Sequence, residues 1–240
     1  LEEQNGAELF RGLKIMEAGD EYLSHMGKYP VISLSLKSMK QPSYELAFEM
    51  LKKAMREEYL RHWPGIEAGG KLDTADRERY LRLRDMEGTD GDYADALKFL
   101  SECLYRTWGR KAVILIDEYD VPLESAYFGG FYDRMIPAIR SLFESALKTN
   151  GNLEFAVVTG CLRISRESIF TGLNNLKIIS VTGESYAEYF GFTQQEVEKM
   201  LDFYGLRENE ETVRQWYDGY RFGNTEVYNP WSVINYVESC

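Results

Sequence analysis

The run Ala112-Val-Ile-Leu-Ile116 is the longest apolar stretch of the chain, and it ends directly on Asp117 and Glu118. It is too short for an ordinary helix and shows no polar alternation, so it reads as a strand buried on both faces. Such a strand sits inside a parallel sheet and delivers whatever follows it to the sheet's carboxyl end, where α/β folds bind ligands. Here that cargo is a pair of adjacent carboxylates. The remaining apolar pattern agrees with this placement. Val31-Ile-Ser-Leu-Ser-Leu36 alternates as a strand, Leu153-Glu-Phe-Ala-Val-Val158 is nearly continuous, and Ile178-Ile-Ser-Val181 is a shorter strand.

Between these strands the spacing predicts helices. Ala7 to Met26 is the first, and Ser43 to His62 is the second, with Leu46, Met50, Leu51, Met55 and Tyr59 on one face. Pro64-Gly65 and Gly69-Gly70 are read as its end. Thr74 to Leu83 and Tyr93 to Trp108 form two more, and another runs from about Tyr132 to Thr149, with Pro137 marking where its regular part begins. From Tyr186 the strands cease. Thr193-Gln-Gln-Glu196 is a capping box opening a helix to Tyr204, and Ser232 to Val237 is helical again. The fold class is therefore α/β, a mainly parallel sheet with helices on both faces over residues 1–185, followed by a small helical subdomain over 186–240.

Composition excludes several classes. With 44% apolar and 14% aromatic residues, the 240-residue chain can bury a core and is not a disordered polymer. A net charge of −11 opposes binding to a phosphate backbone, so direct nucleic-acid binding is not expected. The Arg77-Glu-Arg-Tyr-Leu-Arg-Leu-Arg84 segment reads as a solvated helix face laced with intrahelical pairs. No stretch is long and apolar enough for a membrane span, and the first residues lack the blocks of a signal peptide, so the expected location is the cytoplasm. Cys103, Cys161 and Cys240 follow no ligand spacing, and His25 and His62 stand alone. Neither a zinc site nor a Ser/His/Asp triad can be built from them.

The apolar strand ending in Asp117-Glu118 is a Walker B pattern. Its chemistry uses one carboxylate, Asp117, to hold magnesium and its neighbour, Glu118, to orient or deprotonate an attacking water. The plainer reading is an acidic strand-to-loop turn. Thr159 stands at the tip of the next strand, where many such enzymes sense the terminal phosphate. Arg163 and Arg166 follow it, either as planar cations for phosphate or as partners of Glu118, Glu167 or Asp120. No Gly-x-x-x-x-Gly-Lys-[Ser/Thr] loop occurs anywhere in the 240 residues, and Glu67-Ala-Gly-Gly-Lys71 has neither its spacing nor a preceding strand. A metal-dependent nuclease built on Asp117, Glu118 and Asp120 lacks both a basic groove and a D…(D/E)-x-K set.

Several blocks together resemble the bacterial predicted AAA-type ATPase-like domains of the P-loop NTPase superfamily. They are Leu9-Phe-Arg-Gly-Leu-Lys-Ile15, Tyr29-Pro-Val-Ile-Ser-Leu-Ser35, Val113-Ile-Leu-Ile-Asp-Glu-Tyr-Asp-Val-Pro122, Val158-Thr-Gly160, Ser168-Ile-Phe-Thr-Gly-Leu-Asn-Asn-Leu176, Trp216-Tyr-Asp-Gly-Tyr-Arg-Phe-Gly223 and Tyr228-Asn-Pro-Trp-Ser232. The resemblance implies a regulatory ATPase-like module that uses ATP and magnesium. Beside the Walker B reading, which gives Asp117 the metal and makes Glu118, Thr159 and the phosphate-contacting Arg163 the catalytic candidates, the resemblance makes residues 186–240 look like a lid. Pro230 would be a base contact of that lid, or simply a helix-start proline. In that family a phosphate-loop strand precedes the block that begins this chain, and a PD-(D/E)XK nuclease-like domain commonly follows. The implied state is a fragment that lacks the first strand and is inactive unaided. A non-catalytic interaction domain that keeps the fold is the alternative, and nothing in the sequence fixes an oligomeric state.

Overall fold

The computed structural model describes residues 6–161, 169 and 176–240. The chain divides into two compact units, Leu1–Asn175 and Leu176–Cys240. The first opens with short 3-10 turns at Gly6–Phe10 and Lys14–Glu17 and one helical turn, α1 (Asp20–Leu23). The single helix predicted from Ala7 to Met26 is broken. Gly12 and Gly19 take φ of +83° and +91°, a conformation a right-handed helix cannot contain.

β1 (Val31–Ser35) leads into α2 (Tyr44–Gly69), whose first turn is capped by the Ser43 hydroxyl accepting from Leu46 N–H. α2 does not end at Pro64-Gly65 as the sequence suggests. A proline removes one hydrogen bond from a helix, and here packing outweighs that loss: Ile66 beyond it is buried, and Trp108 lies so close that a Cβ on Gly65 would sit 2.5 Å from its ring. The helix stops at Gly70, whose φ of +58° turns its N–H back onto the Ile66 and Glu67 carbonyls.

α3 (Thr74–Arg84) and α4 (Asp90–Ala94) follow, then α5 (Ala96–Trp108), separated from α4 at Asp95. The arginines of α3 find most of their acids on other elements rather than along their own helix. Arg77 pairs with Glu67 of α2 at 3.1 Å, and Arg79 with Asp92 at 3.4 Å and with Asp95. Next come β2 (Ala112–Asp117), α6 (Val121–Gly129), α7 (Tyr132–Phe143) with a wider π-type turn over Glu144–Lys148, and β3 (Leu153–Val158). Pro137 lies inside α7, which starts at Tyr132.

The three strands form a parallel sheet in the order β1-β2-β3. Ile32, Leu34, Ile114 and Ile116 share one face and are buried. The two edges differ. On β1, the outward Ser33 N–H donates to Glu58 of α2 at 2.9 Å, and the Val31 carbonyl accepts from Arg61 and from His62 at 3.0 Å. On β3, no strand pairs the outer edge among the described residues, and Phe155 is 62% exposed.

The second unit packs α8 (Gln194–Phe203), α9 (Glu210–Tyr217), β4 (Asp218–Phe222), β5 (Thr225–Tyr228) and α10 (Pro230–Ser239) around Val197, Leu201, Val213, Tyr228 and Val233. The Thr193/Glu196 capping box is formed. The β4-β5 ribbon corrects the purely helical expectation for this region. Its two-residue Gly223-Asn224 turn, with Gly223 at φ +54°, is a hairpin signal between strand-forming residues. The strand predicted at Ile178–Val181 is not formed; these residues have no strand partner among those described, and their apolar side chains are exposed. No helix among the described residues is long and apolar enough to cross a membrane.

Candidate functional site

Asp117 is the last residue of β2, in register with Ser35 of β1 and one step beyond the Ile116–Val158 pair. Its main chain is fixed by Leu36, whose N–H donates to the Asp117 carbonyl at 3.0 Å. Beyond the strand the chain turns at once. Glu118 adopts φ +56°, Val121 N–H closes onto the Glu118 carbonyl at 3.2 Å, and Asp120 starts α6 by accepting from Glu124 N–H at 2.9 Å. A left-handed conformation in a residue other than glycine costs on the order of 1–2 kcal/mol, so the turn holds Glu118 against its local preference.

β3 continues this ladder past its own end. Thr159 N–H donates to the Ile116 carbonyl at 2.8 Å, and the Thr159 carbonyl accepts from Tyr119 N–H at 3.0 Å. The Thr159 hydroxyl donates to Asp117 Oδ1, which also accepts from Glu118 N–H at 3.0 Å. Gly160 then passes against the turn. A Cβ there would lie 2.6 Å from both Asp120 Oδ1 and the Tyr119 ring, so only glycine lets the two strand tips approach this closely.

The structure thus brings together Asp117, Glu118 and Thr159, with Tyr119 and Asp120 buried beneath them. Among the described residues, Glu118 Oε2 is buried without a hydrogen-bond partner. A buried carboxylate oxygen without a donor is costly unless a ligand or ion supplies the missing contact. Arg163 and Arg166 lie outside the described residues. Pro230 belongs to the second unit, where it is the first residue of α10 behind Asn229, whose side chain accepts from Ser232 N–H at 3.2 Å.

The donor set is hard oxygen, as magnesium requires. Among the described residues no cluster of three or more His, Cys, Asp or Glu side chains can hold a metal alone. Magnesium fits such a sparse set, because it keeps several waters and takes one or two carboxylates plus phosphate oxygens rather than a full protein cage. Asp117 would be its ligand, and Glu118 faces the same end of the sheet.

Sequence reasoning missed the roles of Gly160 and of the Glu58–Arg61–His62 group that closes the β1 edge. The second had a signal. Glu58 and His62 lie four apart on the helix that carries the apolar stripe, which places two polar groups against the core, with Arg61 beside them at the exposed margin.

Residues 1–170 match the AAA-ATPase-like family, described as a predicted AAA-ATPase. An uncharacterized protein in the vnfD 5′ region of Azotobacter chroococcum mcd 1 is 33% identical over 200 residues, a match covering 71% of this chain. The chain spans only 38% of that relative's length. No solved structure matches. The family match covers both strand tips that build the site, Asp117-Glu118 and Thr159-Gly160, and the chain belongs to the AAA-ATPase-like family.

Proposed function

We propose that this chain forms the magnesium-and-water side of a nucleoside-triphosphatase site, and that a further segment adding to the open edge of β3 supplies the phosphate-gripping loop. The observation that carries the reading is the pair Asp117-Glu118 at the carboxyl end of the central strand, with Glu118 Oε2 buried and without a hydrogen-bond partner among the described residues. The two sheet edges support it. β1 is closed by Glu58, Arg61 and His62, so among the described residues the β3 side, next to Thr159, is the edge left for a new parallel strand. Exposed Phe155 and Val157 would be covered by what such a segment brings.

In this reading Asp117 would hold a magnesium ion, directly or through water, which would supply charge neutralisation for the phosphates. Glu118 accepts a proton from the attacking water, or fixes its orientation, from a backbone turn that cannot swing away. Asp120 and Tyr119 form the floor beneath it. The nucleotide is ATP, and the module regulates an attached effector, for which a downstream PD-(D/E)XK nuclease-like domain is the candidate, in the cytoplasm.

The test compares magnesium-dependent ATP binding by this chain with binding by a version extended upstream through a phosphate loop. Binding that appears with the extension is the expected result; equal absence in both overturns the reading. In a turnover-competent form, Glu118→Gln should retain nucleotide and lose turnover by about 10²–10⁴-fold. An alternative, a non-catalytic interaction domain, draws support from the exposed Phe203, Trp216 and Trp231 of the second unit. It predicts unchanged function in Glu118→Gln.

A further inference from the structure

We infer that Thr159 is a positioning residue for the metal-binding carboxylate of Asp117, and that its hydroxyl is not the group that touches phosphate. The inference rests on the reading of Asp117 as the magnesium ligand. A threonine hydroxyl carries one proton to donate. Here that proton goes to Asp117 Oδ1. Glu118 N–H goes to the same oxygen, at 3.0 Å. Both donors therefore converge on Oδ1, which fixes the carboxylate plane and leaves Oδ2 as the oxygen for an ion. Metal ligands are generally oriented in this way by donors behind them.

The backbone that carries the hydroxyl is held. Thr159 is anchored on both sides of its Cα, by its N–H to Ile116 and its carbonyl to Tyr119. Gly160 lets the following chain pass close to Asp120 and Tyr119, which keeps the two strand tips together. Donating to a phosphate would require breaking the Asp117 bond and would release the carboxylate at the moment an ion needs it fixed.

Manganese alone serves as the probe, since its paramagnetism broadens nearby backbone amide signals without nucleotide or turnover. In the isotope-labelled 240-residue chain, signals of residues 117–120 and 159–160 should broaden on titration with manganese chloride. Thr159→Val keeps the shape and removes the donor. It should raise the manganese concentration for half-broadening by about ten- to a hundredfold, the usual effect of losing an orienting partner. Thr159→Ser keeps the hydroxyl and should behave as the parent. Unshifted α3 amides check the fold, and Thr159→Ala replaces the valine variant if that one misfolds. Equal manganese response in the donor-less variant, loss of the response in Thr159→Ser, or no broadening at 117–120 in the parent each overturns the inference. ATP binding is measured separately. Its failure with the manganese pattern intact would remove the nucleotide reading and leave Thr159 as the orienter of an ion-binding Asp117.

Discussion

Glu118 and Gly160 show how two neighbouring turns can use opposite backbone solutions. Glu118 occupies a left-handed conformation that glycine would adopt without strain, and among the described residues its carboxylate has one oxygen buried without a partner. Glu118→Gly relieves about 1–2 kcal/mol of strain and adds about 0.5–1 kcal/mol of unfolded-chain entropy, so it should stabilise the chain by up to about 1 kcal/mol. Denaturant unfolding checks this, and a destabilised variant would show that the glutamate is held by contacts of its own. Gly160 is the reverse case: its φ is ordinary, and space is the constraint. Gly160→Ala should destabilise by about 1–3 kcal/mol, as overpacking does, because the new Cβ meets the buried Tyr119 and Asp120 at 2.6 Å. The same unfolding experiment reads it. At this scale the sequence placed Asp117 and Glu118 correctly at the end of β2, since a short apolar run and its flanking acids are local facts. That Thr159 reaches across to Asp117, 42 residues away in the chain, is not a local fact.

Among the elements, the two edge strands have different fates. β1 is finished by α2, whose Glu58 accepts from the Ser33 N–H and from Arg61. Glu58→Ala strips the partner from a strand N–H in a part-buried place and should cost about 1.5–3 kcal/mol, the range for hydrogen bonds to a charged group, measured by denaturant midpoint. β3 is unfinished, and an open edge bearing exposed Phe155 and Val157 is a template for other strands. This chain should self-associate with rising concentration, and Val157→Lys should suppress that association without loss of helical signal; sedimentation velocity distinguishes the two. Helix α2 carries the matching lesson about legibility. Pro64-Gly65 is a strong local stop, yet the helix passes through it because Gly65 seats on Trp108 and Ile66 is buried beyond it. Ile178–Val181 fails in the other direction: its residues favour a strand, but among the described residues no strand pairs with it, and its backbone makes only isolated bonds such as Gly223 N–H to the Val181 carbonyl at 2.9 Å.

For the whole molecule, the buried acids that stay neutral govern the response to alkali. Burial pushes the Cys103 thiol up to about 12 and the Tyr93 hydroxyl to about 12, and raises Tyr59 and Tyr80 as well. In the unfolded chain these groups ionise near their ordinary values, close to 9 for the thiol and 10 for the phenols. Above that range the unfolded state has lost protons that the folded state keeps, so stability is complete below about pH 9 and falls as pH rises toward 12. Cys103 alone contributes about 1.4 kcal/mol per pH unit in that window. Thermal unfolding from pH 8 to 11 should show the decline, and Cys103→Ala should flatten it. Cys161 and Cys240 are exposed and should react with thiol reagents in the native state, while Cys103 should not. The sequence alone determined the parallel α/β class, the three strands of the first unit and the carboxylate pair at the end of β2, because periodicity and the strand-to-turn transition are set within a few residues. Tertiary structure decided which donors hold Asp117, which sheet edge is closed, where α2 ends and that the second unit contains a hairpin. Each of those depends on a backbone or side-chain group meeting a partner far away in the chain, and no window of sequence contains both.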